Sequence, residues 1–308
     1  MPQPFALRFA LPTLASFAPL VPLTVVGAGV GAGDDLELTP VPLAEGQTLD
    51  LACEVSYELD FEVSSSTEDL PGFEMSYERM TEKTVTILSS SAENGLEAIR
   101  VIYHLVDELG EGPGIDGEQD EAGDEHPLDG TVATIRRDGR GWAVVDNDDV
   151  ELDEDLADLV RDEEVRRDRL LFDMRMFTEA VSTMELEQGA SVDVDEELAI
   201  ELLDAALDED GGVFDDAEMV LTFRDIDEHE ASGVECARFL VEVIAHGEVP
   251  GDLDVAVELS GEVWLDLTTA FARELELEGE MAVAGDSDDV YGVELEGEGA
   301  LRIAFRAS

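Results

Sequence analysis

Residues of the types that carry catalysis are few in this chain, and they are scattered. Four histidines, His104, His126, His229 and His246, stand far apart in the sequence, and none has a partner at metal-ligand spacing. Neither G-x-S-x-G nor H-E-x-x-H occurs, and no glycine-rich loop precedes a helix as phosphate binding requires. We therefore predict no catalytic residue, no metal site and no cofactor.

Carboxylates are the one abundant reactive group. Asp and Glu number 77 against 17 Lys and Arg, so the net charge is −60. The segment from Asp146 to Glu151 begins like a calcium loop, but Glu151 stands where the loop needs glycine. The charge excludes nucleic acid and anionic membrane surfaces, because both require a basic protein surface. We interpret the charge as a solvating surface for a salty medium, with weak divalent-cation binding as the alternative.

The cysteines number two, Cys53 and Cys236, and neither lies in a C-x-x-C pattern. In an exported protein an even pair predicts a disulfide, and buried free thiols are the alternative. Closing so long a loop would stabilise the fold by about 4–5 kcal/mol in the chain-entropy description.

Residues 1–32 read as a signal peptide. They contain one charge, Arg8, in a long apolar run that ends in small residues, with Val30 and Ala32 at the −3 and −1 positions. A transmembrane anchor is the alternative, but three prolines in the run argue against a stable membrane helix. We expect an exported protein, periplasmic or extracellular after cleavage, with residues 33–46 as a linker.

The stretch from Leu49 to Val63 alternates apolar residues with small or acidic ones. Because successive side chains of a strand point to opposite faces, this predicts a strand of roughly 50 Å with one apolar face. The alternation recurs in later segments up to residue 146, predicting an antiparallel meander, and returns between residues 217 and 306. Gly261, Gly279 and Gly297 interrupt these later strands and predict bulges or sharp bends.

Between residues 152 and 207 the apolar spacing changes to three and four, which is typical of amphipathic helices. One or two helices are expected up to Met184, and another at residues 196–207. We predict an α+β, mainly β fold in one domain, residues 47–308: strands at 48–146, a helical insert at 152–207 and strands at 217–306. The architecture expected is a long antiparallel curved sheet or half-barrel wrapped around the insert, and a closed sandwich is the alternative.

The chain carries turn and strand motifs such as L-A-E-G-Q-T-L-D-L at residues 43–51 and S-G-E-V-W-L-D-L-T-T-A-F at 260–271. On these motifs the chain resembles a family of uncharacterised exported bacterial β-rich proteins, which implies no catalytic residues. More distantly, strands around helices are similar to the LolA/LolB-type half-barrel lipoprotein carriers. That resemblance implies a hydrophobic ligand or a lipidated protein as partner.

We therefore expect an exported, non-enzymatic binding or envelope protein that holds an apolar ligand or a lipidated partner in a concavity of the sheet. A structural or interaction protein with a solid core is the alternative, followed by a secreted hydrolase of a cell-surface polymer. The residues expected to line the concavity, or else to be plain core, lie on the apolar face of the first three strands: Val55, Tyr57, Leu59, Phe61, Met75, Tyr77, Val101 and Tyr103.

Overall fold

The computed structural model describes most of the chain after residue 42. The described residues are 38, 43–65, 71–91, 95–111, 126–139, 141–166, 169–170, 177, 180–182, 186–207, 214–249, 253–287 and 293–308. The predicted signal peptide and most of the predicted linker lie outside them. Leu38 and Leu43, at the linker's end, bury their side chains in the core.

The described residues form thirteen strands and two continuous helices, and Phe177, Ala180 and Val181 are also helical. The strands are β1 (Thr48–Ser65), β2 (Phe73–Ser91), β3 (Gly95–Glu111), β4 (Val132–Asp138), β5 (Gly141–Val145), β6 (Val165–Arg166), β7 (Arg169–Leu170), β8 (Ser191–Asp193), β9 (Phe214–His229), β10 (Val234–Val249), β11 (Leu253–Asp266), β12 (Ala272–Ser287) and β13 (Val293–Ala307). The helices are α1 (Glu154–Glu164) and α2 (Glu196–Leu207). Neither helix is long and apolar enough to span a bilayer.

Eleven of the strands form one antiparallel sheet, in the order β5-β4-β3-β2-β1-β13-β12-β11-β10-β9-β8. The remaining two, β6 and β7, pair only with each other. Neighbours in the sheet follow one another in the chain, except that β1 pairs with β13. The sheet is open, with β5 and β8 at its edges. The prediction of a mainly β fold built on a long antiparallel sheet is confirmed at this level.

The register aligns the apolar residues of all the long strands on one face. Val55 of β1 lies opposite Ile303 of β13, which lies opposite Leu277 of β12. Since the side-chain period of a strand is two, an unbroken register keeps the acidic residues together on the other face. We call these two surfaces the apolar face and the acidic face.

Three glycines allow the backbones of β11, β12, β13 and β1 to approach each other closely. A Cβ atom on Gly261, Gly279 or Gly299 would lie 1.7, 1.9 or 1.8 Å from a carbonyl oxygen of the neighbouring strand. The ladders show no register shift at Gly261, Gly279 or Gly297, so the three glycines predicted to mark bulges or sharp bends do not mark bulges. Only a residue without Cβ fits so close an approach.

The helical segment joins one edge of the sheet to the other, because it lies between β5 and β8. Asp153 caps α1 by accepting a hydrogen bond from the Asp155 backbone N–H at 3.3 Å. The helix ends at Glu164, since Val165 takes an extended backbone and pairs with Leu170. One or two helices were predicted up to Met184: α1 is one of them, and Phe177, Ala180 and Val181 further along are also helical, while residues 171–176 lie outside the described residues. The second helical segment, α2, has the predicted bounds.

Candidate functional site on the apolar face

The eight residues predicted to line a concavity all lie on the apolar face of β1, β2 and β3, and they divide into two groups. Half are buried in the core: Leu59, Phe61, Val101 and Tyr103. The other half are only partly buried: Val55, Tyr57, Met75 and Tyr77. The second group is therefore more accessible to solvent than the first.

The partly buried group is contiguous. Tyr57 lies directly opposite Tyr77 across β1 and β2, and their rings stack with centroids 5.3 Å apart. Val55 is two residues before Tyr57, and Met75 two residues before Tyr77. Cys53 adds a fifth partly buried side chain on the same face of β1. We call these five residues the half-buried strip.

A cluster of buried charges adjoins the strip. The ammonium of Lys83, the only lysine in the sequence, lies 2.7 Å from Oε1 of Glu164 and 3.4 Å from Oε1 of Glu163. Tyr103 donates its hydroxyl to Oε1 of Glu164 at 2.7 Å, and Arg79 donates to Oε2 of Glu163 at 2.5 Å. Through these bonds the end of α1 is fixed to β2 and β3. We call these five residues the buried ion cluster.

The cluster is deeply buried, with Glu164 fully inaccessible and Lys83 exposing 4% of its surface. Burial raises the pKa of Glu164, and the charge of Lys83 only partly opposes this. Burial acts to lower the pKa of Lys83, but the charges of Glu164 and Glu163 raise it above its usual value. Oε2 of Glu164 is buried without a hydrogen-bond partner among the described residues. An unpaired charge here would be costly, so the cations and carboxylates stabilise each other.

The sequence contains a signal for this cluster that the predictions above do not use. The apolar phase of β2, which contains Met75, Tyr77 and Val85, also contains polar residues. These are Arg79, Thr81 and Lys83. Charged residues in the apolar phase of a strand must either be exposed or find partners across the core. The partners come from α1, about eighty residues later in the chain, and no local pattern reveals them.

The disulfide predicted between Cys53 and Cys236 is not formed, and both cysteines are free. Three strands separate β1 from β10, which is roughly 19 Å along the sheet, whereas bridged Cα atoms lie about 4.4–6.8 Å apart. In addition, Cys53 lies on the apolar face and Cys236 on the acidic face, opposite Asp266. Burial raises the pKa of Cys53 to about 11 and that of Cys236 to about 12, so neither is an activated nucleophile.

The buried histidine on the acidic face belongs to an ion network. His229 bonds to Oε2 of Glu274 at 2.9 Å and to the Ser232 hydroxyl at 3.0 Å, and Arg306 binds Oε1 of the same glutamate at 3.0 Å. This hydrogen bond from His229 is the main reason that the pKa of Glu274 is lowered. Within the described residues, no three His, Cys, Asp or Glu side chains converge as metal ligands.

Comparisons with known proteins assign no family. No family model matches the chain, and no curated protein matches it. A solved structure of lipid–protein interactions in lipovitellin is similar over 88% of this chain and 25% of that one, at 8% identity and a TM-score of 0.35. This chain thus spans a quarter of the lipovitellin chain. An outer membrane channel from Pseudomonas putida F1 is similar over 91% of this chain and 100% of the channel, at 11% identity and a TM-score of 0.17.

Likenesses this low define neither the fold nor the function. The resemblances to uncharacterised exported bacterial proteins and to LolA/LolB-type carriers therefore stay predictions. The functional argument rests on the half-buried strip and on the residues around it.

Proposed function

We propose that this chain is an exported, non-enzymatic binding protein that holds an apolar ligand, or the lipid chain of a lipidated partner, against the half-buried strip. The observation that carries the proposal is that Val55, Tyr57, Met75 and Tyr77 are only partly buried, on an apolar face where the neighbouring Leu59 and Phe61 are buried. An apolar surface held partly open to solvent favours an apolar occupant.

The proposed architecture is a half-barrel whose curved sheet surrounds the helical segment. Two features support it: the close backbone approaches at Gly261, Gly279 and Gly299, and the bonds that fix Glu164 at the end of α1 to Lys83 of β2. In such an arrangement the ligand would lie beside the helical segment and over the half-buried strip.

The chemistry of the strip indicates what a ligand must supply. Each buried methylene contributes about 0.8 kcal/mol, whereas association costs at least about 4 kcal/mol. Only a long acyl or prenyl chain gains enough contact to bind well. The cations of the adjoining buried ion cluster are neutralised by Glu163 and Glu164, so the proposal does not require an anionic headgroup.

A pair of methionines on β2 provides a matched test. Met75 lies on the apolar face and Met80 on the acidic face, opposite Glu54, and both are partly buried. A fluorescent octadecanol titrated into the protein should bind, and Met75→Gln should weaken binding about tenfold because it places an amide against the alkyl chain. Met80→Gln should leave the affinity within about twofold, since its side chain is on the other face.

Chain length gives a second measurement. Hexadecanol should displace the fluorescent probe, and octanol at the same concentration should not, because it buries too few methylenes. A probe that fails to bind, or that binds Met75→Gln and wild type alike, would contradict the proposal.

A structural or interaction protein with a solid core is the second candidate. The full burial of Leu59, Phe61, Val101 and Tyr103 favours it, because these residues already pack as core. Under this alternative, Met75→Gln would lower stability without any ligand to release. The hydrolase alternative has less support, since the carboxylates of Glu163 and Glu164 are engaged by cations instead of facing a cleft.

A further inference from the structure

The acidic face carries a groove that the proposed function does not use. Its volume is about 460 Å³, within the range of about 300–1,000 Å³ that ligand clefts occupy. It crosses β9, β10, β11 and β12, and the side chains that matter for its chemistry are Glu218, Val220, Glu242, Ile244, Glu258 and Glu280. We call this feature the acidic groove.

The groove has an apolar centre surrounded by carboxylates. Ile244 exposes 47% of its surface, an unusual value for a large apolar side chain in the middle of a long strand. Its cross-strand neighbours are Glu218 on β9 and Glu258 on β11. Val220 lies beside them, directly opposite Glu242. An occupant would therefore meet an apolar centre and negative charge around it.

The four groove carboxylates have no ion pair or hydrogen bond with any described residue. Glu258 and Glu280 even lie directly opposite each other across β11 and β12, an arrangement in which like charges repel. Some other carboxylates on the same face are neutralised by arginines. Arg302 contacts Glu276 at 2.9 Å and Glu278 at 3.2 Å, and Arg224 contacts Glu262 at 2.7 Å.

We propose that the acidic groove docks a cationic amphipathic segment of a partner protein. Apolar side chains of the segment would cover Ile244 and Val220, while flanking Lys or Arg side chains would pair with the four glutamates. Binding would remove the repulsion between Glu258 and Glu280 and the exposure of Ile244 together. This interaction surface is separate from the half-buried strip, which lies on the other face of the sheet.

The probe is a labelled short peptide that alternates lysine and leucine, and the readout is fluorescence anisotropy with the whole protein at physiological ionic strength. The wild-type protein should bind this peptide. It should not bind a control peptide in which serine replaces every lysine. Glu242→Gln combined with Glu258→Gln should weaken binding about tenfold, since two charge pairs are lost. Ile244→Ser should weaken it about fivefold through lost apolar contact.

The matched control removes equal charge from the same face outside the groove. Glu58→Gln combined with Glu298→Gln changes two exposed carboxylates of β1 and β13, and binding should stay within about twofold of wild type. An equal loss in this control would overturn the proposal, since general attraction to a chain of charge −60 would then explain binding. Full affinity in Ile244→Ser, or displacement of the peptide by spermine at equal concentration, would also overturn it in favour of a cation site.

Discussion

Replacing Lys83 by methionine should lower the free energy of unfolding more than the removal of any exposed charge does. The variant leaves Glu164 fully buried without its cation. At the observed 2.7 Å, the pair attraction is about 6 kcal/mol with an effective dielectric constant of about 20. Part of this loss is offset, because the variant no longer has to desolvate the ammonium. Breaking a buried pair typically costs about 3–5 kcal/mol in stability. Urea unfolding followed by circular dichroism measures the change in unfolding free energy.

The control for this prediction is Arg224→Met. Arg224 also lies 2.7 Å from its carboxylate partner, Glu262, but both side chains are substantially exposed. Exposed pairs contribute about 0–1 kcal/mol, so the control should be nearly neutral. A double variant, Lys83→Met with Glu164→Leu, should recover most of the lost stability, because it removes the stranded carboxylate as well.

The pH dependence has a definite sign. Burial already holds the pKa of Glu164 above its usual 4.5, and losing Lys83 removes the main opposing charge. The native Lys83→Met protein then binds this proton more tightly than its unfolded chain. Its stability therefore falls as pH rises above 4.5 through the native pKa, and the cost of the variant is larger at pH 8 than at pH 4.5. If Lys83→Met costs no more than Arg224→Met at pH 8, the reasoning about this cluster is refuted.

Two further predictions concern the close backbone approaches and the acidic face. Gly279→Ala should lower the unfolding free energy by about 3 kcal/mol, because its methyl group would lie 1.9 Å from a backbone oxygen. In the control Gly141→Ala the methyl group meets nothing within 4 Å, so this variant should be neutral. Equal urea midpoints for the two variants would contradict the close approach. Because the pKa of Glu274 is lowered in the folded state, its contribution is present above pH 4.5 and lost as pH falls below it. The stability difference between wild type and Glu274→Gln should therefore shrink in acid, and a difference that grows would have the wrong sign.

Period-two alternation was sufficient to predict the long strands. The run from Leu49 to Val63 lies within β1, since each apolar residue of that run reaches the same face only in a strand. Consecutive pairing of the strands also follows from the chain order. The pairing of β1 with β13 does not, because it joins residues about 250 positions apart and depends on which strand edges remain free.

The predictions failed where tertiary contacts override a local pattern. Apolar spacing did not predict where α1 ends; the helix ends at Glu164, whose carboxylate is buried against Lys83 and Tyr103. Likewise, the phase of β1 and β2 identified the apolar face but not which residues are half-buried. The exposure of Tyr57 and Tyr77 depends on what lies above them, which alternation alone does not encode.

Native mass spectrometry of the whole protein, purified under gentle extraction, tests the central claim most directly. Wild type should carry one apolar molecule per chain, seen as a surplus mass that collisional activation removes. Met75→Gln should lose most of this surplus, and Met80→Gln should keep it, because only the first faces the half-buried strip. A wild-type protein that shows only the mass of its own chain would contradict the account.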